Sequence, residues 1–187
     1  MKARSWRRSH GRRRVPRNVS SDTGVERLGD SLEGRRVVLG VSGGIAAVDT
    51  VRLARELRRH GAEVLTVMSE AAQRIITPLA VQWATDGAVL TDWSSGMDQL
   101  DDVDGVLVAP ATRNTLAAHV HGLQGGPLMM ALSVARSRGT PIMAMPSMHQ
   151  DLASDPITDD LVEAAREQGM HVLWGPLEEG KRKTADH

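Results

Sequence analysis

Apolar residues come in short runs separated by amphipathic stretches, and that alternation predicts the architecture. Arg36–Val41 (RVVLGV) is a near-continuous apolar run, the pattern of a strand buried on both faces. In Gly43–His60, Ala47, Val51 and Ala54 fall at i, i+4 and i+7 with Leu53 and Leu57 alongside. Asp49, Arg52, Arg55, Glu56 and Arg59 take the other side, which predicts a helix that Gly61 ends. The same reading predicts strands at Glu63–Met68, Ala88–Thr91, Gly105–Pro110, Pro141–Pro146 and His171–Pro176. It predicts helices over TPLAVQWAT (77–85), NTLAAHV (114–120), PLMMALSVARSR (127–138) and ITDDLVEAAREQG (157–169). Strands and helices alternating through short connections imply an α/β domain. Its sheet is parallel, with right-handed crossovers and helices on both faces.

Composition narrows the chemistry. The chain has 187 residues, no Cys, no Phe, no Tyr and four Trp, so its core must be built from Val, Leu, Ala, Ile and Met. Without cysteine there is no disulfide, thiolate metal site or cysteine nucleophile, which fits a reducing, cytoplasmic setting. So few aromatic rings argue against recognition by stacking on successive bases. No apolar run approaches the ~18 residues of a membrane span. Residues 1–17 carry eight Lys/Arg and no acid, leaving 15 basic against 23 acidic residues in the remainder. This stretch lacks the apolar centre of a secretory signal. Residues 1–34 therefore read as a basic, disordered extension, able to touch nucleic acid or another acidic surface, or present only because of an upstream start codon. The folded domain is expected from residue 35 to 187.

In a parallel sheet of this kind, ligands sit at the carboxyl ends of the strands near the topological switch point. The first predicted strand ends in Ser42-Gly43-Gly44. Glycine lets backbone N–H groups approach an anion, and a helix start adds partial positive charge, so a phosphate is the natural ligand. The motif matches neither of the standard phosphate loops, and a tight strand-to-helix turn alone also accounts for it. Ser69 after the second strand is a hydroxyl in the same register, or an ordinary N-cap. The fourth strand runs into APATRNT, placing Thr112, Asn114 and Thr115 behind a buried segment. Three strand ends thus present small hydroxyl or amide residues together.

The segments GVSGGIAA, LARELRRHGAEVLTVMSEAAQRIITPLAVQ, VLVAPATRNTLAAHVHGL and PIMAMPSMH resemble the homo-oligomeric flavin-containing cysteine decarboxylases. That family includes phosphopantothenoylcysteine decarboxylase and the decarboxylases of peptide carboxy-terminal cysteines. Its patterns read approximately G-x-[ST]-G-[GS]-I-A, T-x-x-A-x-x-[FL]-[IV]-[TS]-P and A-P-A-[TS]-A-N-T. The resemblance covers residues 37–176 and implies a three-layer, Rossmann-like (flavodoxin-like) flavoprotein domain binding FMN. It implies that Gly40, Ser42, Gly43, Gly44 and Ile45 lie at the flavin phosphate and ribityl chain, and that Ser69 also contacts the phosphate. Ala109, Pro110, Ala111 and Thr112 would pass beside the isoalloxazine, and Asn114 would face the substrate. Trp93 or Trp83 is a candidate to flank the ring, with core packing the readier role for Trp83. A homotrimer, or a higher assembly of trimers, and a small-molecule thiol-bearing substrate are implied.

Departures from the family bear on the reaction. The family histidine of an H-[IV]-x-L segment, expected as the base, has Met97 at its place in SSGMDQLDDVDG, and Met accepts no proton near neutral pH. Asp98 beside it is ordinarily a weak base. The family's P-x-M-N-x-x-M reads PSMHQDL, with His149 at the asparagine position, and the later cysteine has no counterpart. His149 can act as base, bind an anion when protonated, or simply bond to loop backbone. Lys181, Arg182 and Lys183 can clamp a phosphate or carboxylate, or form a solvated tail. Asp101 and Asp102 are expected to face solvent. His119 and His121, two apart on a helix, point in different directions, so no metal site is expected. Three functions remain: a carboxy-lyase with rearranged catalytic residues, an FMN-dependent redox protein serving a small molecule, and a non-enzymatic flavin-binding regulatory subunit. Flavin prenyl transfer, another use of a similar fold, fits APATRNT and PSMH less well.

Overall fold

The computed structural model describes residues 22–92, 97–178 and 181–182. Six parallel strands form the main sheet: β1 (Arg36–Val41), β2 (Glu63–Met68), β3 (Val89–Leu90), β4 (Gly105–Ala111), β5 (Ile142–Pro146) and β7 (Met170–Val172). Their order is β3-β2-β1-β4-β5-β7, so the chain reverses its direction of progress between the adjacent β1 and β4. That reversal is the switch point where open α/β sheets bind ligands. Register runs Arg36↔Glu63 to Val41↔Met68 on one side of β1 and Val37↔Gly105 to Gly40↔Val108 on the other.

Alternate residues of each strand serve two cores, because successive side chains leave a strand on opposite faces. Val38, Leu65, Val67, Val106, Val108, Ile142 and Ala144 pack beneath α5 (Pro127–Arg138) and α7 (Pro156–Glu167) with Leu116 of α4 (Arg113–Val120). Leu39, Val41, Val64, Met68, Ala109 and Met145 pack beneath α1 (Thr50–Arg59) and α3 (Pro78–Thr85). Helices therefore cover both faces, as the periodicity predicts.

Three local differences have physical causes. The helix predicted over 43–60 opens with a 3-10 turn at Ile45–Asp49 before α1 begins. Ala47 N–H donates to Gly44 O at 2.9 Å, a tighter bond than the α pattern, and Gly44 offers no side-chain cap. The last main strand is shorter than His171–Pro176. After Leu173 N–H donates to Ala144 O at 2.9 Å, the chain leaves the sheet and enters a small antiparallel one. This joins β6 (Met148–His149), β8 (Leu177–Glu178) and β9 (Lys181–Arg182) in the order β6-β9-β8. Finally, residues 22–34, assigned by composition to the extension, lie along α1: Leu28 N–H donates to Arg59 O at 3.0 Å, Arg55 to Gly24 O at 3.0 Å, and Val25 is buried. Residues 1–21, Trp93 and Lys183 lie outside the described residues, as do the side chains of Met97, Lys181 and Arg182.

Among the described residues, no helix is long and apolar enough to cross a membrane. Trp83 is not a core residue. It sits 38 % exposed on α3, with the Arg55 guanidinium 4.8 Å from its ring centroid and its indole N–H donating to Asp22 at 2.9 Å. An indole buries well only where its N–H finds a partner, and here the partner is at the surface.

Candidate functional site

The tips of β1, β2 and β4 meet at the switch point. Ser42 is 1 % exposed there, and its hydroxyl is already engaged by the protein. It donates to Pro110 O at 2.7 Å and accepts from Thr112 N at 2.9 Å, while Ser42 N–H also donates to Pro110 O at 3.2 Å. Ser42 thus staples the β1 tip to the β4 tip and orients Thr112. Gly40 makes room for a helix: a Cβ there would lie 2.6 Å from Leu128 Cδ1 of α5. Gly43 makes room for the neighbouring tip, since a Cβ there would lie 2.3 Å from Ala71 Cβ. Gly44 has ordinary clearance, 3.6 Å to Pro110 and Thr112, and Ile45 stands 71 % exposed beside it.

Donors at the tips are left for a ligand. Gly43 N–H has no acceptor among the described residues, and neither do Arg113 N–H and Asn114 N–H at the start of α4. Ser69 caps α2 (Glu70–Gln73), accepting from Ala72 N at 3.2 Å, and no described residue takes its hydroxyl proton. Thr112 caps α4, accepting from Thr115 N at 3.3 Å and lying 2.9 Å from the Thr115 hydroxyl. Asn114 is exposed in the first turn of α4. Ala109, Pro110 and Ala111 are buried; the side chains of Ala109 and Ala111 belong to the two cores, while the Pro110 ring lies beside Gly44 at the tip. Uncharged hydroxyls and unpaired amides around a glycine with no space for a side chain suit a phosphate monoester, and the small apolar tips suit a flat ring. The donor set therefore fits FMN.

His149 stands apart, at the start of α6 (Gln150–Ala153), with a side chain 53 % exposed. Its Nδ1 lies 3.3 Å from both the backbone N and the Oδ2 of Asp151. The two tautomers use these contacts differently: Nδ1 accepts the Asp151 N–H when the proton is on Nε2, and Nδ1–H donates to the carboxylate when Nε2 is bare. Antiparallel pairing of β6 with β9 sets Lys181 opposite His149 and Arg182 opposite Met148.

Two features were not legible in the residue pattern. Arg113 Nη1 lies 2.6 Å from Asp155 Oδ2, joining α4 to the start of α7. The Asp155-Pro156 pair is a cap signature, and Asp155 does accept from Ile157 N at 3.0 Å, but nothing local announces its second partner. Backbone and guanidinium donors together hold the Asp155 carboxyl below its ordinary value. His119 is 2 % exposed between helices, and neither ring nitrogen has a partner among the described residues. Burial, aided by the Arg136 guanidinium, pushes it down to about 4. His121 is exposed on another side of the same helix end. Asp101 and Asp102 are exposed, with Asp101 paired to Arg138 at 2.6 Å.

The chain is 39 % identical over 161 residues to the coenzyme A biosynthesis bifunctional protein CoaBC of Thermococcus kodakarensis, covering 82 % of this chain and 40 % of that one. It is 34 % identical over 157 residues to the CoaBC protein of Escherichia coli, covering 78 % and 37 %. The chain thus spans about 40 % of the length of the curated relatives it matches. Among solved structures, an FMN-dependent cysteine decarboxylase, SpaF, superposes with a TM-score of 0.75 at 27 % identity, covering 83 % of this chain and 92 % of that one. A PPC decarboxylase complexed with pantothenoylaminoethenethiol shares the fold, with a TM-score of 0.71 at 20 % identity over 81 % and 91 %. The family model described as Flavoprotein matches residues 26–186, and the chain belongs to that family.

Proposed function

We propose that this protein holds FMN at the tips of β1, β2 and β4 and acts as a carboxy-lyase on a small thiol-bearing substrate. The observation that carries the reading is the set of unpaired donors at one switch point: Gly43 N–H, the Ser69 hydroxyl and the free amides that open α4. The likeness to an FMN-dependent cysteine decarboxylase along most of both chains supports the chemistry. FMN, when bound, would take two electrons from the thiol-bearing substrate to ease loss of carbon dioxide and would return them to the decarboxylated product or pass them to an external acceptor. The protein's share is placement and proton handling. Ser42 sets the β1 and β4 tips at a constant spacing, and Gly43 lets the β1 tip close on Ala71 while its N–H stays unpaired among the described residues. Asn114 offers its exposed amide to the substrate carboxylate. His149, in the tautomer whose Nδ1–H donates to the Asp151 carboxylate, offers Nε2 as the base.

A redox reading, in which the protein serves FMN-dependent electron or hydride transfer to a small molecule, is favoured by one observation: Met97 stands where the family's expected base would be. A regulatory flavin-binding subunit is the reading left if no turnover exists. Exposed apolar side chains, Met143 at 38 %, Leu173 at 43 %, Ile45 and Val48, support association of copies, read as a homotrimer or a higher assembly of trimers. The lack of cysteine suits a cytoplasmic setting.

Purified protein should copurify yellow, with FMN identified by mass, and should release carbon dioxide from phosphopantothenoylcysteine or from a peptide ending in cysteine. His149→Asn should lower that rate at least ten-fold while leaving flavin uptake unchanged. Colourless, fully assembled protein that takes up no FMN would refute the cofactor assignment. Yellow protein inert toward both thiols but photoreducible and able to reduce a pterin would favour the redox reading.

A further inference from the structure

We infer that Arg113 is a positioning residue: its ion pair with Asp155 sets where His149 stands relative to Asn114. This rests on the reading that those two residues face the substrate. Arg113 occupies the first position of α4, immediately before Asn114. A cation there opposes the helix dipole, so the residue is poorly chosen for the helix itself. Its guanidinium instead reaches a carboxylate 42 residues along the chain at 2.6 Å, with side-chain exposures of 26 % and 34 %. Asp155 caps α7 through its other oxygen, which accepts Ile157 N–H at 3.0 Å. The cap therefore aims the carboxylate at Arg113.

Between Asp155 and His149 lies only the short helix α6, and its bonds make the span stiff. Thr158 Oγ1 of α7 donates to Leu152 O at 2.6 Å, Gln150 Nε2 donates to Ser154 Oγ at 2.6 Å, and Ser154 N–H donates to Gln150 O at 2.8 Å. A displacement of Asp155 is thus passed to the turn in which His149 Nδ1 meets Asp151. Sub-ångström errors in such placements lower turnover strongly, because reacting groups must be held near contact geometry.

The test uses flavin-loaded full-length protein and the variants Arg113→Met, Asp155→Asn and the double variant. Asp155→Asn keeps an oxygen for the Ile157 cap, so it folds even if Arg113→Met does not. The imidazole nitrogen signals of His149, assigned with His149→Asn, report whether Nδ1 still accepts from Asp151. Each single variant should shift the balance of ring tautomers by the same amount, and the double variant should do no more. FMN uptake should stay within about two-fold, and kcat on the cysteine substrates should fall roughly ten-fold with KM within about two-fold. His149 signals that overlay the wild type, or single effects that add in the double variant, overturn the inference. Absence of turnover in the wild type would defeat the proposed activity and leave the His149 spectra to decide this point.

Discussion

Acid should destabilise this protein earlier than its carboxylates require, and His119 is the reason. The ring is 2 % exposed and lacks a partner for either nitrogen among the described residues, so the folded protein holds it neutral, with a value pushed down to about 4 against an ordinary 6.5. Its first cause is burial and its second is the charge of Arg136, which donates to His119 O at 2.9 Å. A folded-state value below the unfolded one means that the unfolded chain binds the proton more readily. Stability from this group is therefore complete above pH 6.5 and is lost as the pH falls toward 4. Between pH 8 and pH 5 the loss amounts to roughly 2 kcal/mol, worked from that difference at about 1.4 kcal/mol per pH unit. For a domain of this size that is a Tm drop of about 4–8 °C. His119→Met fills a similar volume without a titrating group or an orphaned N–H. Thermal unfolding of both proteins from pH 8 to pH 5 should show a gap in favour of the variant that widens with acid. Asp104 and Asp155, whose carboxyls sit below 3.8, contribute stability lost only at lower pH, outside this window. Parallel curves for the two proteins would refute the argument.

Other expectations follow from single contacts. Gly43→Ala places a methyl 2.3 Å from Ala71 Cβ, so it should cost about 1–3 kcal/mol in denaturant unfolding and weaken FMN uptake at least ten-fold. Adding Ala71→Gly should recover part of both losses. Ser42→Ala leaves Thr112 N–H without its acceptor, and should cost about 1–3 kcal/mol with a smaller, separate loss of flavin affinity. Leu132→Ala, in a fully buried position on α5, should cost about 2–5 kcal/mol and leave the spectrum of bound flavin unchanged in shape.

Strand and helix positions were legible because they depend on period and punctuation alone. RVVLGV, EVLTVM and GVLVAP are buried runs in any parallel sheet, and Gly61 marks a helix end by backbone chemistry that needs no distant partner. The strand-tip cluster was equally legible, since a parallel sheet brings its carboxyl ends to one edge.

What lay beyond reach was every feature that depends on a partner far along the chain. The residue pattern alone is enough to place Ser42 at the tip. Only packing decides that its hydroxyl closes on Thr112, 70 residues away, rather than projecting outward. The close approach of Leu128 to Gly40 has no local signal, and Trp83 reads as core until Asp22 and Arg55 claim it at the surface. His119 looks like any helical histidine until α4 meets its neighbours and strips it of water. Local rules act through bonded neighbours and helix or strand period; side-chain partnership is settled by which surfaces close together, and that is information held by the assembled fold.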